Sequence, residues 1–247
     1  MRAAPDNRST ASFHEHQSKI MANTSNVILD AVSPVVKQSL QAHVYQELRR
    51  LLMAGHLRPG QELKVKELAE HFHTSVQPVR EAILQLVTEK ALEPAPNASA
   101  RVPALDRRRL IDLRNVRIAM EGLAAELAVE HISDAQIDAL ERIVELESAA
   151  DDARRVEVSV QQNRDFHFGI YHSSGSALLP PMIESLWLQV GPIIRDAAEL
   201  FDARDGKGSE HHVDMIDALR RRDGEALREA LTQDIHMFFD VVLQEYD

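Results

Sequence analysis

Four polar side chains interrupt apolar helical stripes in the second half of this 247-residue chain, and their types suit metal coordination. Asn163 and His167 share one stripe with Val160 and Ile170, and residues at i and i+4 project from the same side of a helix. His212 lies on a stripe with Met215, Ile216 and Leu219, and Asp234 sits between Leu227/Leu231 and Phe238/Val242. Asp223 centres the turn between the last two helices, with His212 11 residues before it and Asp234 11 after it. In an antiparallel helix hairpin those two positions come level, so an imidazole and a carboxylate meet inside a bundle, facing His167 and Asn163. Inward-facing His and carboxylate groups hold divalent cations in helical bundles. The chain has no cysteine, so the donors are nitrogen and oxygen only. Zinc is the first candidate, with nickel, iron and manganese open. The same side chains equally suit a metal-free hydrogen-bonded network built on a His167–Asp234 ion pair. His211 and His236 are set aside; His236 stands about 200° around the helix from Asp234 at ~100° per residue.

Arg117 is the other polar intruder, on the stripe of Leu113, Met120 and Ala124. A buried guanidinium needs an anionic partner. Glu121, one turn on, can supply it within the helix, or Arg117 anchors a small carboxylate bound beside Asn163, His167 and His212. A second set of residues, in the first half, suits DNA. Ser75, Val76, Gln77 and Arg80 open a short helix, where side chains can reach base edges in a major groove. Gln77 has the donor and acceptor pair for adenine, and Arg80 the fork for guanine or phosphate. Lys66 and Ser75 suit phosphate, and Arg101, on a turn-rich segment with Ser99, suits the backbone or a minor groove.

The elements that position these residues follow from periodicity and capping. Leu40, Val44, Leu48 and Leu51/Leu52 mark a first helix, ended by Gly55 and Pro59-Gly60. A second runs from Val65 to Phe72. A third opens at Ser75, a favourable N-cap, with Pro78 in its first turn and an apolar stripe of Val79, Ala82, Ile83, Leu86 and Val87. Two short extended pieces around an Asn97-Ala98-Ser99 turn then read as a wing. From Asp106 onward the pattern is helical throughout. A first helix carries Leu110 to Leu127, and a second is opened by the Ser133/Gln136 capping box. A third spans about 156–172. A fourth, about 177–201, carries a Gly191-Pro192 pair expected to kink it. After a loop at Asp205-Gly206-Lys207-Gly208 come helices over about 209–222 and 224–246. Residues 1–36 lack a sustained apolar period and read as a disordered tail, with Val27–Val36 a short packed segment at most.

Charge is distributed unevenly. The formal net charge is −11, yet residues 1–104 carry 12 basic and 10 acidic side chains, against 16 and 29 in residues 105–247. The acidity belongs to the second half and does not argue against nucleic acid for the first. A hydrophobic content of 44% supports packed cores. There is no ~18-residue apolar run for a membrane span and no secretory-type apolar segment near the start, so a cytoplasmic location is expected.

The first half resembles a known family. Pro59-Gly60-Gln61-Glu62-Leu63, Lys66-Glu67-Leu68-Ala69 and Ser75-Val76-Gln77-Pro78-Val79-Arg80-Glu81-Ala82 are similar to the N-terminal domain of GntR-family transcription regulators, over about Ser39 to Val102. The resemblance implies DNA contacts from Lys66, Ser75, Gln77 and Arg80. Val76 stands where the family usually has a basic residue, and Ser99 where the wing usually has glycine, so operator preference does not carry over. Lys90 replaces a common glycine at a helix end. From Asp106 on, Arg117-x3-Glu121-x2-Ala124-Ala125, Phe166-His167 and His212 through Asp223 resemble the FCD ligand-binding domain of one GntR subfamily. That resemblance implies a metal held by an Asp, a His four residues later and two further His residues. Here Asn163 and Asp234 depart from the pattern, as if Asp and His had changed places. It also favours Arg117 as a carboxylate anchor.

The expectation is therefore a mainly α protein with a tail over 1–36, a winged helix-turn-helix over 37–104 and an antiparallel all-α bundle of FCD type over 105–247. It would be a homodimeric, ligand-responsive regulator, a repressor, that binds a short inverted-repeat operator. Its metal ligands would be Asn163, His167, His212 and Asp234, and its effector a small carboxylate metabolite. A metal-dependent hydrolase and a helical interaction module are the rivals. Neither explains the Pro78-Val79-Arg80-Glu81-Ala82 helix, and no nucleophile or base is identifiable beyond the ligands.

Overall fold

The computed structural model describes residues 40–96, 99–203 and 210–246. The tail over 1–36, the Asn97-Ala98 part of the wing turn and the Asp205–Gly208 loop lie outside the described residues. The N-terminal module is built from α1 (Leu40–Met53), α2 (Val65–His71) and α3 (Val76–Thr88), followed by β2 (Glu93–Ala95) and β3 (Ser99–Arg101). A two-residue strand, β1 (Glu62–Leu63), precedes α2 and was not anticipated. It adds to the wing in the order β1-β3-β2, antiparallel throughout, with Leu63 opposite Ala100 and Glu93 opposite Arg101. Two residues are below the length periodicity can register.

Six helices follow: α4 (Arg107–His131), α5 (Asp134–Asp152), α6 (Val156–His172), α7 (Leu179–Ala203), α8 (Glu210–Arg221) and α9 (Gly224–Leu243), closed by a 3-10 turn at Gln244–Tyr246. Their starts are chemically marked. Asp106 accepts from the Arg109 amide at 2.7 Å, Ser133 and Gln136 form the reciprocal capping box, and Asp223 accepts from the Ala226 amide at 3.0 Å. α7 runs as one helix through Pro192. α3 begins after Ser75, but the Ser75 hydroxyl makes no capping bond, which leaves that exposed hydroxyl available.

Two backbone features tie sequence to packing. Lys90 follows the C-cap of α3 with φ +63, the left-handed conformation that favours glycine at a helix end. Gly191 lets α7 lie directly on α1, since a Cβ there would sit 2.3 Å from the Leu52 carbonyl oxygen and 2.9 Å from the Met53 Cα. Around that contact Tyr45 donates to Glu89 at 2.5 Å, Arg49 pairs with Glu184, and the Ser185 hydroxyl donates to the Glu89 carbonyl at 3.3 Å. One continuous apolar core runs from Leu48, Leu52 and Leu86 into Phe166, Trp187 and Phe239. α7 is thus shared: its Gly191 side holds α1, and its Trp187, Ile194 and Ala197 line a cavity in the bundle.

Candidate metal centre and nucleic-acid interface

α6, α8 and α9 bring His167, His212 and Asp234 together at the centre of the bundle, all buried. The hairpin of α8 and α9 does level the last two, with His212 Nε2 3.7 Å from Asp234 Oδ1. His167 Nε2 lies 3.3 Å from Asp234 Oδ2 and 3.1 Å from His212 Nε2. A first-row cation with ~2.0–2.1 Å bonds spaces neighbouring donors by roughly 3.0–3.4 Å in tetrahedral or octahedral geometry, so the three donors stand at or near coordination spacing.

The far sides of both rings fix what the near sides offer. His212 Nδ1 is 2.7 Å from Glu147 Oε2, and a carboxylate can only accept, so Nδ1 carries the proton. Tyr171 donates its hydroxyl proton to Glu121 Oε2 at 2.5 Å, so its oxygen accepts from His167 Nδ1 at 3.1 Å. In the neutral tautomers, each Nε2 is then a bare lone pair, and two lone pairs face each other beside a carboxylate. That arrangement is repulsive until a cation, metal or proton, sits among them. Outer hydrogen bonds that free Nε2 are also how metal-binding imidazoles are held. Burial pulls the His212 imidazole down, but the Glu147 carboxylate and then Asp234 more than reverse this and leave its pKa raised. Burial pushes the Asp234 carboxyl up, yet a His167 ring protonated at Nε2, by its hydrogen bond and charge, with His212 and Arg117, holds it below the usual value.

Asn163 lines the cavity beside this cluster, together with Arg117, Glu147, His167, Trp187 and Asp234. The cavity measures about 70 Å³. Arg117 is buried and lines the cavity; of its five N–H donors, Nε and Nη2 use one each on the two Glu121 carboxylate oxygens, at 2.6 and 3.2 Å, and the guanidinium lies 4.8 Å over the Trp187 ring. Of the two partners the sequence allowed, the structure supplies Glu121. His211, 3.8 Å from Asp214, and His236 stay outside the cluster. Three participants were missed. Glu147 occupies a core position on the stripe of Ile137, Leu140 and Val144, and a carboxylate there was a legible signal. Tyr171 is one turn beyond His167. Trp187 was not singled out.

In the N-terminal module, Lys66, Ser75, Gln77 and Arg80 are exposed and Val76 is half-buried against the core. Among the described residues neither Lys66 nor Arg80 has an ion-pair partner. Gln77 donates to Glu81 at 2.7 Å and Arg101 to Glu93 at 2.5 Å, exposed bonds of the kind that exchange readily for others. Ser99 lies in β3 beside the wing turn.

Comparison with known proteins agrees with this architecture. Residues 40–102 match the model for bacterial regulatory proteins of the gntR family, and residues 112–237 match the FCD domain. The HTH-type transcriptional regulator McbR of Escherichia coli K12 is 32% identical over 213 residues, covering 85% of this chain and 95% of that one. The chain belongs to the GntR family of transcription regulators, with an FCD domain. A solved structure of E. coli McbR/YncC superposes on this GntR-family chain with a TM-score of 0.80 over 85% of it and 100% of the solved chain. The E. coli K12 repressor RspR is 25% identical over 207 residues, 84% of this chain and 90% of RspR. A GntR structure from Rhodococcus, at 17% identity and a TM-score of 0.69 over 84% of this chain and 99% of that one, shares the fold. Families and relatives alike are regulators and not enzymes, so the hydrolase reading falls, and the helix-turn-helix makes this a DNA-binding protein. No helix among the described residues is long and apolar enough to cross a membrane.

Proposed function

We propose that this GntR-family protein is a cytoplasmic, ligand-responsive repressor that binds a short inverted-repeat operator as a homodimer. In this reading residues 37–104 read DNA. Residues 105–247 hold a divalent cation and a small carboxylate effector and provide the dimer, and residues 1–36 form a tail. The observation that carries the metal reading is the convergence of both Nε2 atoms with the Asp234 carboxylate, each Nδ1 lying within hydrogen-bond distance of Glu147 or Tyr171 on its far side. His167, His212 and Asp234 would hold the ion, zinc first and nickel, iron or manganese next, with Asn163 joining directly or through water. When bound, the ion supplies a Lewis-acid contact for a carboxylate oxygen.

Operator reading falls to Lys66, Ser75, Val76, Gln77, Arg80, Ser99 and Arg101. Lys66, Ser75 and Arg80 suit phosphates and guanine, and Gln77 suits adenine once its bond to Glu81 is exchanged. A net charge of only +2 over residues 1–104 makes a single half-site contact weak, which favours a dimer on two half-sites. Repression is supported by relatives named as repressors, among them RspR and a probable D-xylose utilization operon repressor of Paenarthrobacter nicotinovorans. The effector enters the cavity walled by α7, the helix that also holds α1, so a shift of α7 would move the DNA-reading module.

A mobility-shift titration of the full chain on the DNA upstream of its own gene, with and without zinc, tests the DNA side. Absence of any specific complex would overturn it. The competing account of the cluster is a proton in place of the metal, favoured by the raised pKa of His212, and metal analysis separates the two.

A further inference from the structure

The DNA-reading module and the bundle meet backbone to backbone. Gly55, just past the end of α1, and Gly191, within α7, face each other across the contact. A Cβ on Gly55 would stand 3.3 Å from the Gly191 carbonyl oxygen and 2.6 Å from the Arg195 Cβ, and one on Gly191 would stand 2.8 Å from the Leu52 carbonyl carbon. Gly55 also holds φ +68, where a side chain is strained. Polar ties from separate elements surround this contact. Arg49 of α1 pairs with Glu184 of α7, and the Ser185 hydroxyl of α7 donates to the Glu89 carbonyl at the end of α3. Arg109 of α4 donates from Nη2 to the Lys90 carbonyl at 3.4 Å and to Gln189 Oε1 of α7 at 3.1 Å. The chain between the wing and α4 is itself packed: Val102 and Leu105 are 1% and 7% exposed and belong to the shared core. Packed contacts of this kind shift between discrete arrangements instead of deforming smoothly.

We propose that this junction, which touches no base, sets the separation of operator half-sites that the protein accepts. The inference rests on the homodimer reading above. With two bundles joined, each recognition helix α3 is held at a fixed place and angle by its own α7, so the two helices match one half-site separation. One extra base pair moves a half-site by about 3.4 Å along B-DNA and turns it by roughly 35° around the axis. A reader on a loose tether would follow that displacement at little cost. Here following it would part Gly55 from Gly191 and break the Arg49–Glu184 pair, and the alternative is to bend the DNA. Specificity then has two sources in separate parts of the chain. Gln77 and Arg80 select the bases, and Gly191 with its surroundings selects the spacing.

Selection from random duplexes with the full-length chain supplies the half-site sequence, and mobility shifts on operators with spacers changed by one and two base pairs supply the profile. Wild type is expected to lose at least about tenfold in affinity one base pair to either side of its optimum, the cost of deforming DNA or junction. Gly191→Ala forces α7 and α1 apart. It should flatten the profile to within about threefold or move its optimum, since the junction and not the DNA then gives way, while the preferred half-site sequence stays the same. A purely structural role would lower affinity equally at every spacing. A wild-type profile already flat to within about threefold overturns the proposal, as does a folded Gly191→Ala protein whose profile keeps the wild-type shape. If Gly191→Ala does not fold, Glu184→Arg, which sets two guanidinium groups against each other across the junction, replaces it under the same criteria. Light scattering counts the chains in the complex. One chain per operator defeats the homodimer reading and the proposal with it, whereas two chains with a flat profile overturn the spacing rule and leave the homodimer intact.

Discussion

Glu147→Gln isolates the residue that sets the His212 tautomer. Both partners are buried, His212 wholly and the Glu147 side chain to 2% exposure, and they meet at 2.7 Å. A neutral amide of nearly the same shape keeps the packing but removes the charge that holds the proton on Nδ1 and the lone pair on Nε2. Either amide end can face Nδ1, so the wrong tautomer becomes accessible. Loss of such an outer carboxylate costs about 10–100-fold in metal affinity, or about 1.4–2.7 kcal/mol. Competition against a chromophoric zinc chelator measures the ratio directly, with circular dichroism as the check on folding. A folded Glu147→Gln protein whose zinc affinity stays within about twofold of wild type would refute the argument that the outer hydrogen bonds prepare Nε2 for a cation.

Three further outcomes test other parts of the structure. Arg80→Ala should cost about 1–3 kcal/mol in operator affinity and make the salt dependence shallower by about one ion, read by mobility shift at several salt concentrations, with zinc binding unchanged; wild-type operator binding would place the DNA contacts elsewhere. Gly191→Ala should destabilise the protein by about 1–3 kcal/mol, because its Cβ would sit 2.3 Å from the Leu52 carbonyl oxygen; an unchanged urea midpoint would show that α7 and α1 are not so close. Lys90→Gly should stabilise by about 0.5–1 kcal/mol, since Lys90 holds φ +63 and a non-glycine residue is strained there; a lower melting temperature would contradict this.

How far the sequence carried can be traced to particular residues. The helices were legible because their apolar stripes are long and their starts are chemically marked, as at Asp106, Ser133 and Asp223. The spacing of His212 and Asp234 about Asp223 fixed their pairing, because an antiparallel hairpin leaves little freedom of register. β1 was missed because two residues carry no period. Lys90 was legible as a glycine replacement, and its positive φ gives the reason. Arg117 was ambiguous because the sequence cannot say which of two anions a guanidinium faces, and the i,i+4 partner Glu121 was nearer. Glu147 was overlooked although a carboxylate on a core stripe marks it, whereas the partners of Glu147, Trp187 and, through Glu121, Tyr171 lie on other helices and could not be read from spacing. His212 meets Glu147 from 65 positions away, and Trp187 faces His167 and Arg117 across the bundle.

The central claim is that His167, His212 and Asp234 hold a divalent cation. Elemental analysis of the purified full-length chain, after equilibration with zinc and exhaustive dialysis, tests it most directly. The account predicts about one metal ion per chain in wild type and none in a folded His212→Ala variant, as expected when a buried three-residue donor set loses one ligand. A wild-type protein that remains metal-free, or a His212→Ala variant that retains its ion, would contradict it.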